Sequence, residues 1–368
     1  MLNFINNRLS PMSRRRWKIF FGQKRAVLGL VVFLFMLIVS LSAELWSHHY
    51  PLLVVRNTPI IVDGDVVMSS ADGGEPKEVR KWRVFFPALV NYSVSDFGIT
   101  DAFIVDFPEL LAADEAESRG TVAIFPINRW DPYIQSPDVM VGPSGIHWMG
   151  TDSLGRDVTA RLIYGIRVSL CFGLLMWSGA YFIGVLIGIT QGYFAGVFDF
   201  IAERLKELAE IIPILMLIIL INGITRSQSF FLTLAIVIAL FWISISSQMR
   251  AQVLALRKRE FTEAVIALGG THWRVIFKHI LPNAITPVLT LTPFAISAGI
   301  STLAVLDYLG FGLSPPTPSI GELLLQGRTY ITNAVWLLIA PTTAMILLLI
   351  SINMLGEALR TAFDPRAS

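Results

Sequence analysis

Side chains that could catalyse a reaction or bind a metal are few in this sequence and stand apart from one another. The five histidines are His48, His49, His147, His272 and His279. They form no H-E-x-x-H pattern, and no C-x-x-C or G-x-S-x-G arrangement occurs. His48 and His49 follow an apolar run, where amphipathic rings are common, and the single Cys171 excludes a disulfide framework. We therefore expect no catalytic residue and no bound metal.

The segment GTDSLGRD (150–157) combines two aspartates with two glycines, as a cation-binding loop could. Its spacing lacks the ligand order and the closing glutamate of an EF-hand. Thr151 and Asp152 are suitable helix caps, and Gly155 permits a tight turn before a helix that begins near Asp157. We interpret the segment as an elbow at the membrane surface. Its candidate residues are Gly150, Thr151, Asp152, Gly155, Arg156 and Asp157.

The stretch EFTEAVIALGGTHWRVIFKHILPN (260–283) is polar and amphipathic between long apolar runs. Apolar side chains recur in it at helical spacing, which predicts a helix with one face on the membrane domain. Those side chains are Phe261, Ala264, Val265 and Leu268. The opposite face presents Glu263 beside the small residues Ala267 and Gly270, so a partner with a basic group could approach closely.

A glycine pair divides this stretch into two helices. Gly269 and Gly270 are expected to end the first helix, because glycine adopts the left-handed conformation at little cost. Thr271 can cap a second helix, and Pro282 is expected to stop it and begin the next span. The apolar stripe of that second helix is Trp273, Ile276, Phe277 and Ile280. Periodicity alone also fits an interfacial helix pair anchored by tryptophan and basic residues.

The composition places these segments in a membrane protein, because 54% of the 368 residues are hydrophobic and only 15% are charged. Six apolar runs approach the roughly 20 residues that a helix needs to cross a bilayer. They are 26–46, 168–190, 208–224, 229–248, 284–305 and 334–354. The predicted fold is an all-α polytopic membrane protein with six transmembrane helices.

Charge sets the expected orientation. Seven basic residues and no acidic ones precede the first span, which places the N-terminus in the cytoplasm, and six spans return the C-terminus there. The predicted regions are a basic N-terminus (1–25), a first helix (26–46), a mixed periplasmic insert with the elbow (47–167), a five-helix core (168–354) with a cytoplasmic loop (249–283), and a tail (355–368). Within the insert we expect a hairpin turn at Asp63-Gly64 and a helix from Pro108 to Gly120.

Small residues and the scarcity of charge limit what the spans can do. Four glycines at intervals of four lie on one helix face and predict close packing of another helix: Gly184, Gly188, Gly192 and Gly196. Glu210 is expected to pair with Lys206.

A proton-coupled carrier needs ionisable groups within its spans, and they are nearly absent here. No G-x-x-x-x-G-K-[ST] loop occurs, so any ATP must be bound by another subunit.

The order EAVIALGGTHWRVIFKHILPN (263–283) resembles the cytoplasmic signature of ATP-binding-cassette (ABC) importer permeases, E-A-A, three residues, G, and later L-P. Glu263, Ala264, Gly269, Leu281 and Pro282 match this pattern, whereas Val265 departs from it. His279 before ILPN resembles the oligopeptide/dipeptide branch, as do GTDSLGRDVTARLIYGIRVSL, LDYLGFGLSPPTPSIGELL and GEALRTAFDPR. The stretches SAELWSHHYPLLVV and NYSVSDFG resemble Yej-type peptide permease subunits, whose outer insert is large.

This resemblance implies a permease subunit of the bacterial inner membrane that imports peptides. Its implied partners are a second homologous permease subunit in a heterodimer, two ATP-binding domains that contact residues 260–283, a periplasmic peptide-binding protein and the lipid membrane, with no nucleic acid. ATP and Mg would be used by the ATPase subunits, and this chain would hold no cofactor. The elbow is a candidate contact for the binding protein or gate of the outer mouth. The implied ATPase-coupling residues are Glu263, Ala264, Gly269, Gly270, His279, Leu281 and Pro282.

Three alternatives remain open at this stage. Within the same family, nickel or another solute could replace peptide, because the binding protein largely chooses the cargo. A proton-coupled carrier would need ionisable groups at the middle of the membrane. A membrane scaffold would tolerate the composition but gives no reason for the spaced E-A, G and L-P residues.

Overall fold

Long apolar runs make the protein mostly helical. The structure is a computed structural model that describes residues 11–59, 61–62, 65–66, 68–69, 77–78, 80–97, 99, 105–117, 119–225 and 228–363. Its α-helices are α1 (Pro11–Gly22), α2 (Lys24–Leu41), α3 (Ala43–Trp46), α4 (Phe107–Ala116), α5 (Val158–Phe194), α6 (Gly196–Glu210), α7 (Ile214–Thr225), α8 (Phe230–Arg257), α9 (Glu260–Ala267), α10 (His272–Arg274), α11 (Leu281–Leu289), α12 (Thr292–Tyr308), α13 (Ile320–Thr329) and α14 (Trp336–Phe363). A π-helix, Val275–Ile280, joins α10 to α11.

Four of these helices are long and apolar enough to cross a membrane within the described residues: α2, α5, α8 and α14. Two bent pairs raise the number to six if each pair is one span. Helices α6 and α7 meet at 73°, and the helix from His272 to Leu289 meets α12 at 54°. The predicted runs therefore correspond to four continuous helices and two broken ones.

Proline explains both breaks. The run predicted at 208–224 joins the end of the charged α6 to the apolar α7, and Pro213 lies between the two helices. Pro293 stands in the first turn of α12 and has no amide hydrogen to donate to the carbonyl four residues before it, so the helical hydrogen-bond pattern is interrupted there. The run predicted at 284–305 is accordingly bent at Thr290 and Leu291. Other helices are longer than their predicted runs, since α5 begins at Val158 and α14 continues to Phe363.

The chain divides into two units, the helical unit (residues 1–38 and 164–368) and the inserted unit (residues 39–163). In the helical unit, α1 and α2 pack against the end of α14 through a small apolar cluster. Its buried members are Phe20, Ala26, Ala358 and Ala362.

The inserted unit contains a three-stranded antiparallel sheet in the order β6-β1-β7. Its strands in chain order are β1 (Leu53–Pro59), β2 (Ile61–Val62), β3 (Asp65–Val66), β4 (Met68–Ser69), β5 (Lys77–Glu78), β6 (Arg80–Phe85) and β7 (Val122–Ile124). The predicted turn at Asp63-Gly64 lies outside the described residues, although β2 and β3 on either side of it pair antiparallel. The predicted acidic helix is α4, capped by the Asp106 side chain.

A buried ion pair fixes α4 to the sheet of the inserted unit. Arg56 on β1 donates from Nε to Oδ2 of Asp114 at 2.6 Å and from Nη2 to Oδ1 at 2.8 Å. Thr121 and Arg119 also donate to this carboxylate, at 2.6 and 3.1 Å. Burial alone would raise the pKa of Asp114, but the hydrogen bonds from Arg56 and Thr121 outweigh it and hold that pKa below its usual value.

We predict that Asp114→Asn destabilises the inserted unit, because it leaves the Arg56 charge buried without its counter-ion. Breaking a buried pair costs about 3 to 5 kcal/mol, so amides of β1 and β6 should exchange at least about 100-fold faster by hydrogen-exchange mass spectrometry. The control is Glu117→Gln, which changes an exposed partner of Arg119. Equal protection of β1 in Asp114→Asn and wild type would contradict the assignment.

The same pair predicts a pH dependence with a definite sign. Because the folded-state pKa of Asp114 is lowered, its stabilisation is complete above the unfolded pKa and is lost as the pH falls through the folded pKa. Protection factors of β1 in the wild type should therefore decrease in acid, below the usual carboxylate range. In Asp114→Asn this acid-dependent part of the decrease should be missing.

Candidate functional site

The hinge segment (residues 260–283) has the helix-break-helix form that its sequence predicts. Helix α9 ends at Ala267, and Gly269 follows with φ of +79°, a conformation that favours glycine. The amide of Gly270 donates to the carbonyl of Val265 at 2.9 Å, which closes the helix end. The Thr271 side chain then accepts the amide of Arg274 and caps the second helix.

The face on which α9 lies differs from the prediction. Thr262 is fully buried, and its hydroxyl donates to the carbonyl of Leu256 at 3.0 Å, while Val265 packs against the core beneath. Phe261 is 41% exposed and Leu268 is 88% exposed. Ala264 is exposed as well, so the prediction that this stripe covers the membrane domain is wrong for Phe261, Ala264 and Leu268 and right for Val265 alone. Helix α9 has only eight residues, and Thr262 and Val265 are the two that hold it against the core.

The second helix of the hinge segment is partly as predicted. Ile276 and Ile280 are buried, whereas Trp273 and Phe277 are exposed and stack on each other with ring centroids 5.6 Å apart. Pro282 does not end this helix, which continues through α11 to Leu289. Pro282 lies in the first turn of α11, directly after the π-helix, and such local widening accommodates a residue that cannot donate its own amide.

An apolar core joins the hinge segment to two long helices. It contains side chains from α5, α8, the π-helix and α11, and its buried members are Val185, Ile189, Tyr193, Met249, Val253, Val275, Ile276, Ile280, Ala284 and Val288. Interiors of this kind are closely packed and transmit displacement. The second half of the hinge segment is therefore packed against both α5 and α8.

Hydrogen bonds at Tyr193 strengthen this connection. The Tyr193 hydroxyl shares a hydrogen bond with Nδ1 of His272 at 2.8 Å, and Arg257 donates to the Tyr193 carbonyl at 3.0 Å. One residue at the end of α5 thus contacts both the end of α8 and the start of the second hinge helix.

The residues that the sequence proposes for coupling fall into two groups. Glu263, Ala264, Gly269 and Pro282 are exposed, and Gly270, His279 and Leu281 are partly buried. The first group lies where a partner could contact it. In the second group, the carbonyl of His279 accepts the side chain of Asn283 at 2.7 Å, and Leu281 packs against the apolar core.

Three of the four spaced glycines lie where α5 crosses α8. A Cβ atom added to Gly184, Gly188 or Gly192 would stand 2.8, 2.5 or 2.9 Å from a backbone carbonyl oxygen of α8. Gly196 does not share this face, because α5 ends at Phe194 and Gly196 begins α6. The prediction is therefore wrong for Gly196, which has a positive φ and, among the described residues, no packing neighbour within 4 Å of its added Cβ.

A charged network that was not predicted links α6 to α5 and α8. Arg250 donates to both carboxylate oxygens of Asp199, at 2.6 and 2.8 Å. Glu203 accepts from Lys206 at 2.8 Å and from Gln191 at 2.7 Å. Lys206 is buried in this network and is paired with Glu203, so its predicted pairing with Glu210 is wrong. Charges at positions 199, 203 and 206, on one helical face, are the signal that sequence reasoning could have used.

The elbow residues are buried within the inserted unit. Asp152 accepts from the guanidinium of Arg156 at 2.7 Å. Asp157 accepts from Asn128 at 3.0 Å and pairs with His147 at 2.9 Å. Thr151 is also buried, and Gly150 and Gly155 both have positive φ. These contacts favour the interpretation as a structural elbow, and within the described residues no group of three or more metal-ligating side chains is placed to hold an ion.

Asp307 is a further carboxylate that the predicted span, ending at 305, leaves out. It is buried at the end of α12, accepts the Leu313 amide at 2.7 Å and accepts the Ser319 hydroxyl. It thereby fixes the loop between α12 and α13. Its sequence signal is a carboxylate three residues before the stretch GFGLSPP, which begins at Gly310.

Comparison with known proteins gives matches over most of the chain. Residues 184–368 match the family model described as binding-protein-dependent transport system inner membrane component. Residues 10–59 match the model for the N-terminal TM domain of oligopeptide transport permease C.

Three curated relatives show how far the similarity extends. The inner membrane ABC transporter permease protein YejE of Escherichia coli is 36% identical over 98% of this chain and 98% of its own length. The peptidoglycan transport system permease protein YejE of Agrobacterium fabrum is 32% identical over 97% and 94%. The dipeptide transport system permease protein DppC of Alkalihalophilus pseudofirmus is 32% identical over 78% and 91%.

The contact between α5 and α8 generates a stability prediction. Gly188→Ala should destabilise the protein by about 1 to 3 kcal/mol, because the new methyl group meets the Ser246 carbonyl and the Met249 side chain. The measurement is the fraction of detergent-solubilised protein that stays monodisperse after heating. Gly223→Ala on α7 is the matched control, since no described residue lies within 4 Å of its added Cβ and alanine favours helix. Equal melting of Gly188→Ala and wild type would refute the close crossing.

Proposed function

The chain belongs to the family of binding-protein-dependent transport system inner membrane components and is a multi-pass protein of the inner membrane, and from this premise we propose that it is the permease subunit of an ATP-driven importer of peptides or peptide-like compounds. The observation that carries the proposal is the arrangement of the hinge segment. One of its faces is exposed, and the other packs against the core that α5 and α8 share. The described relatives transport dipeptides and peptidoglycan according to their names, which supports peptide-like cargo.

ATP hydrolysis belongs to partner subunits in this proposal. The sequence has no phosphate-binding loop of the G-x-x-x-x-G-K-[ST] type. ATP and Mg would be bound by two ATP-binding domains on the cytoplasmic side, and this chain would not be an enzyme. Closure of those domains on ATP would supply the force that moves the permease.

The exposed face of the hinge segment is suited to docking such a domain. Leu268 and Trp273 are exposed by 88% and 68%, and Phe261 and Phe277 are exposed beside them. Large apolar and aromatic side chains of this kind are typical anchors of protein interfaces. Glu263 is exposed on the same segment and would pair with a basic group of the ATPase, which orients the docked helix.

The buried face would transmit the movement. When the ATPase displaces α9, the break at Gly269 and the second hinge helix carry the displacement into the core shared by α5 and α8. The hydrogen bonds of Tyr193 to His272 and Arg257 make the end of α5 part of the same lever. The resulting change would be a rigid-body rearrangement between inward-open and outward-open states.

Membership of the family supports two further partners in this proposal. A second homologous permease subunit would complete the translocation path, and a periplasmic peptide-binding protein would deliver the cargo to the outer side, where the inserted unit and its elbow would lie. The cytoplasmic N-terminus and tail and the periplasmic insert are part of this proposal. Nickel or another solute is the competing cargo, and uptake of peptide decides between them.

We predict that Glu263→Lys and Gly269→Asp abolish transport while the protein stays in the membrane. Lysine would place like charges together at the docked face, and aspartate would strain a backbone with positive φ, so uptake should fall at least about tenfold. The measurement is ATP-dependent uptake of radiolabelled tri-alanine and of a peptidoglycan-derived tripeptide, with radioactive nickel alongside, by vesicles that contain the complete transporter.

The control is Glu357→Lys, an exposed carboxylate on α14 outside the hinge segment, which should transport normally. Normal uptake by both hinge variants would refute the lever. Uptake of nickel without uptake of either peptide by the wild type would refute peptide cargo.

A second prediction separates docking from movement. Leu268→Asp should reduce copurification of the ATP-binding subunits at least about tenfold, because it places a charge at the most exposed apolar anchor. Leu268→Met keeps the apolar area and should restore copurification. Undiminished copurification with Leu268→Asp would show that the ATPase docks elsewhere.

A further inference from the structure

A small cavity lies at mid-length of two long helices in the helical unit. It has a volume of about 250 Å³ and is lined by parts of α5, α8, α11 and α12. Trp177 lies next to the midpoint of the 37-residue α5, and Phe241 and Ser244 flank the midpoint of the 28-residue α8. If both helices cross the bilayer, the cavity lies near its centre.

Three polar atoms at this cavity are buried without a hydrogen-bond partner among the described residues. They are Nε1 of Trp177, the hydroxyl of Tyr181 and Oγ1 of Thr292. Buried polar groups are normally paired, and an unpaired one is especially costly in an apolar surrounding. Three such atoms around one cavity therefore point to a partner that occupies it at some stage.

Other hydroxyls on the same helices show the ordinary alternative. Thr190 on α5 and Thr302 on α12 donate to carbonyls of their own helix, at 2.9 and 2.8 Å. Thr292 stands at the first residue of α12, just after the bend, where the preceding helical turn is interrupted. The bend thus leaves a hydroxyl at the cavity without a backbone partner.

The chemistry of the lining identifies the class of ligand. Among the described residues, none that line the cavity is charged, and Ser244 and Gln248 add further neutral polar groups. The Trp177 indole can only donate, to a carbonyl oxygen, whereas the hydroxyls of Tyr181 and Thr292 can donate or accept. A peptide main chain offers carbonyl acceptors and amide donors that satisfy all three, whatever its side chains.

We infer that Trp177, Tyr181 and Thr292 form a contact site for the main chain of peptide cargo during its passage through the membrane. This inference rests on the proposed function. Trp177 and Tyr181 have ring centroids 5.3 Å apart, and with Phe241 they give the site apolar walls. The cavity is smaller than the about 300 to 1,000 Å³ of a complete ligand pocket, so it holds a segment of the cargo at a time.

A lipid chain or trapped water would be different occupants. A lipid chain leaves all three polar atoms unpaired, so removing them would not impair transport. Water would satisfy all three atoms, but its binding would not change when peptide is transported, so removing a hydroxyl would not lower the rate of uptake. Variants that remove a hydroxyl and keep the shape of the side chain therefore distinguish peptide cargo from lipid and from water.

The test uses the complete transporter in proteoliposomes with its binding protein and radiolabelled tri-alanine. Tyr181→Phe and Thr292→Val should each lower the maximal rate of uptake about threefold to tenfold, and the double variant should lower it further. ATP hydrolysis without peptide should stay unchanged. Tyr308→Phe and Thr302→Val are matched controls on α12 that should transport as the wild type does.

The outcomes distinguish this site from the proposed function. If the wild type takes up neither tri-alanine nor a peptidoglycan-derived tripeptide, the proposed function fails and the site fails with it. If the wild type takes up peptide and the double variant does so at the same maximal rate, the site alone is refuted.

A second measurement leaves Trp177, Tyr181 and Thr292 unchanged. A photoreactive benzoylphenylalanine replaces Phe241 in the cavity or Phe182, which is 66% exposed on α5. Illumination during turnover should attach radiolabelled tri-alanine at position 241 and not at 182. Label at 182 alone, or lipid adducts alone at 241, would overturn the site.

Discussion

The close crossing of α5 and α8 is the contact on which the helical unit depends. Because Gly184, Gly188 and Gly192 carry no side chain, the carbonyls of α8 approach the α5 backbone more closely than any Cβ would allow. In a membrane this matters more than in water, since lipid tails are as apolar as the helices and burial alone does not drive association. The crossing brings Val185 and Ile189 next to Met249 and Val253, and this surface is where the second hinge helix packs.

This arrangement explains why the hinge segment is both fixed and exposed. Its second half contributes Val275, Ile276 and Ile280 to the core, while its first half is held mainly by Thr262 and Val265. The large side chains that remain, Leu268 and Trp273 among them, are mostly exposed in the part of the helical unit that the structure describes. An apolar face left uncovered next to a rigid attachment is what a docking site for a moving partner requires. In α6, by contrast, Glu203 pairs with Lys206 of the same helix, and Asp199 pairs with Arg250 of α8, which holds the two helices together.

The sequence predicted the membrane class, the helix-break-helix form and the family, and the comparisons confirm the resemblance to Yej-type peptide permeases. It could not predict which face of α9 is buried, because apolar residues serve equally as core and as interface anchors and periodicity does not distinguish them. It also missed the partnership of Arg250 with Asp199, which are 51 residues apart and meet only after α5, α6 and α8 have packed. Pro282 was misplaced as a helix end because the π-helix before it is a tertiary adjustment with no clear sequence signal.

Polar groups in the helical unit serve two different needs. Some are paired within the protein and stabilise it, and others remain unpaired and can bind cargo. Charges that are paired within the protein, such as Asp199 with Arg250, are stable when partly buried because both carboxylate oxygens accept from the guanidinium. A path for cargo cannot use such groups, since a fixed ion pair offers nothing to a ligand and an unpaired charge at the membrane centre would be too costly. Neutral groups such as Tyr181 and Thr292 are the compromise, because leaving them unpaired costs less than burying a free charge. Neutral contacts to a main chain also discriminate little between side chains, so the choice of cargo would rest with the binding protein that delivers it.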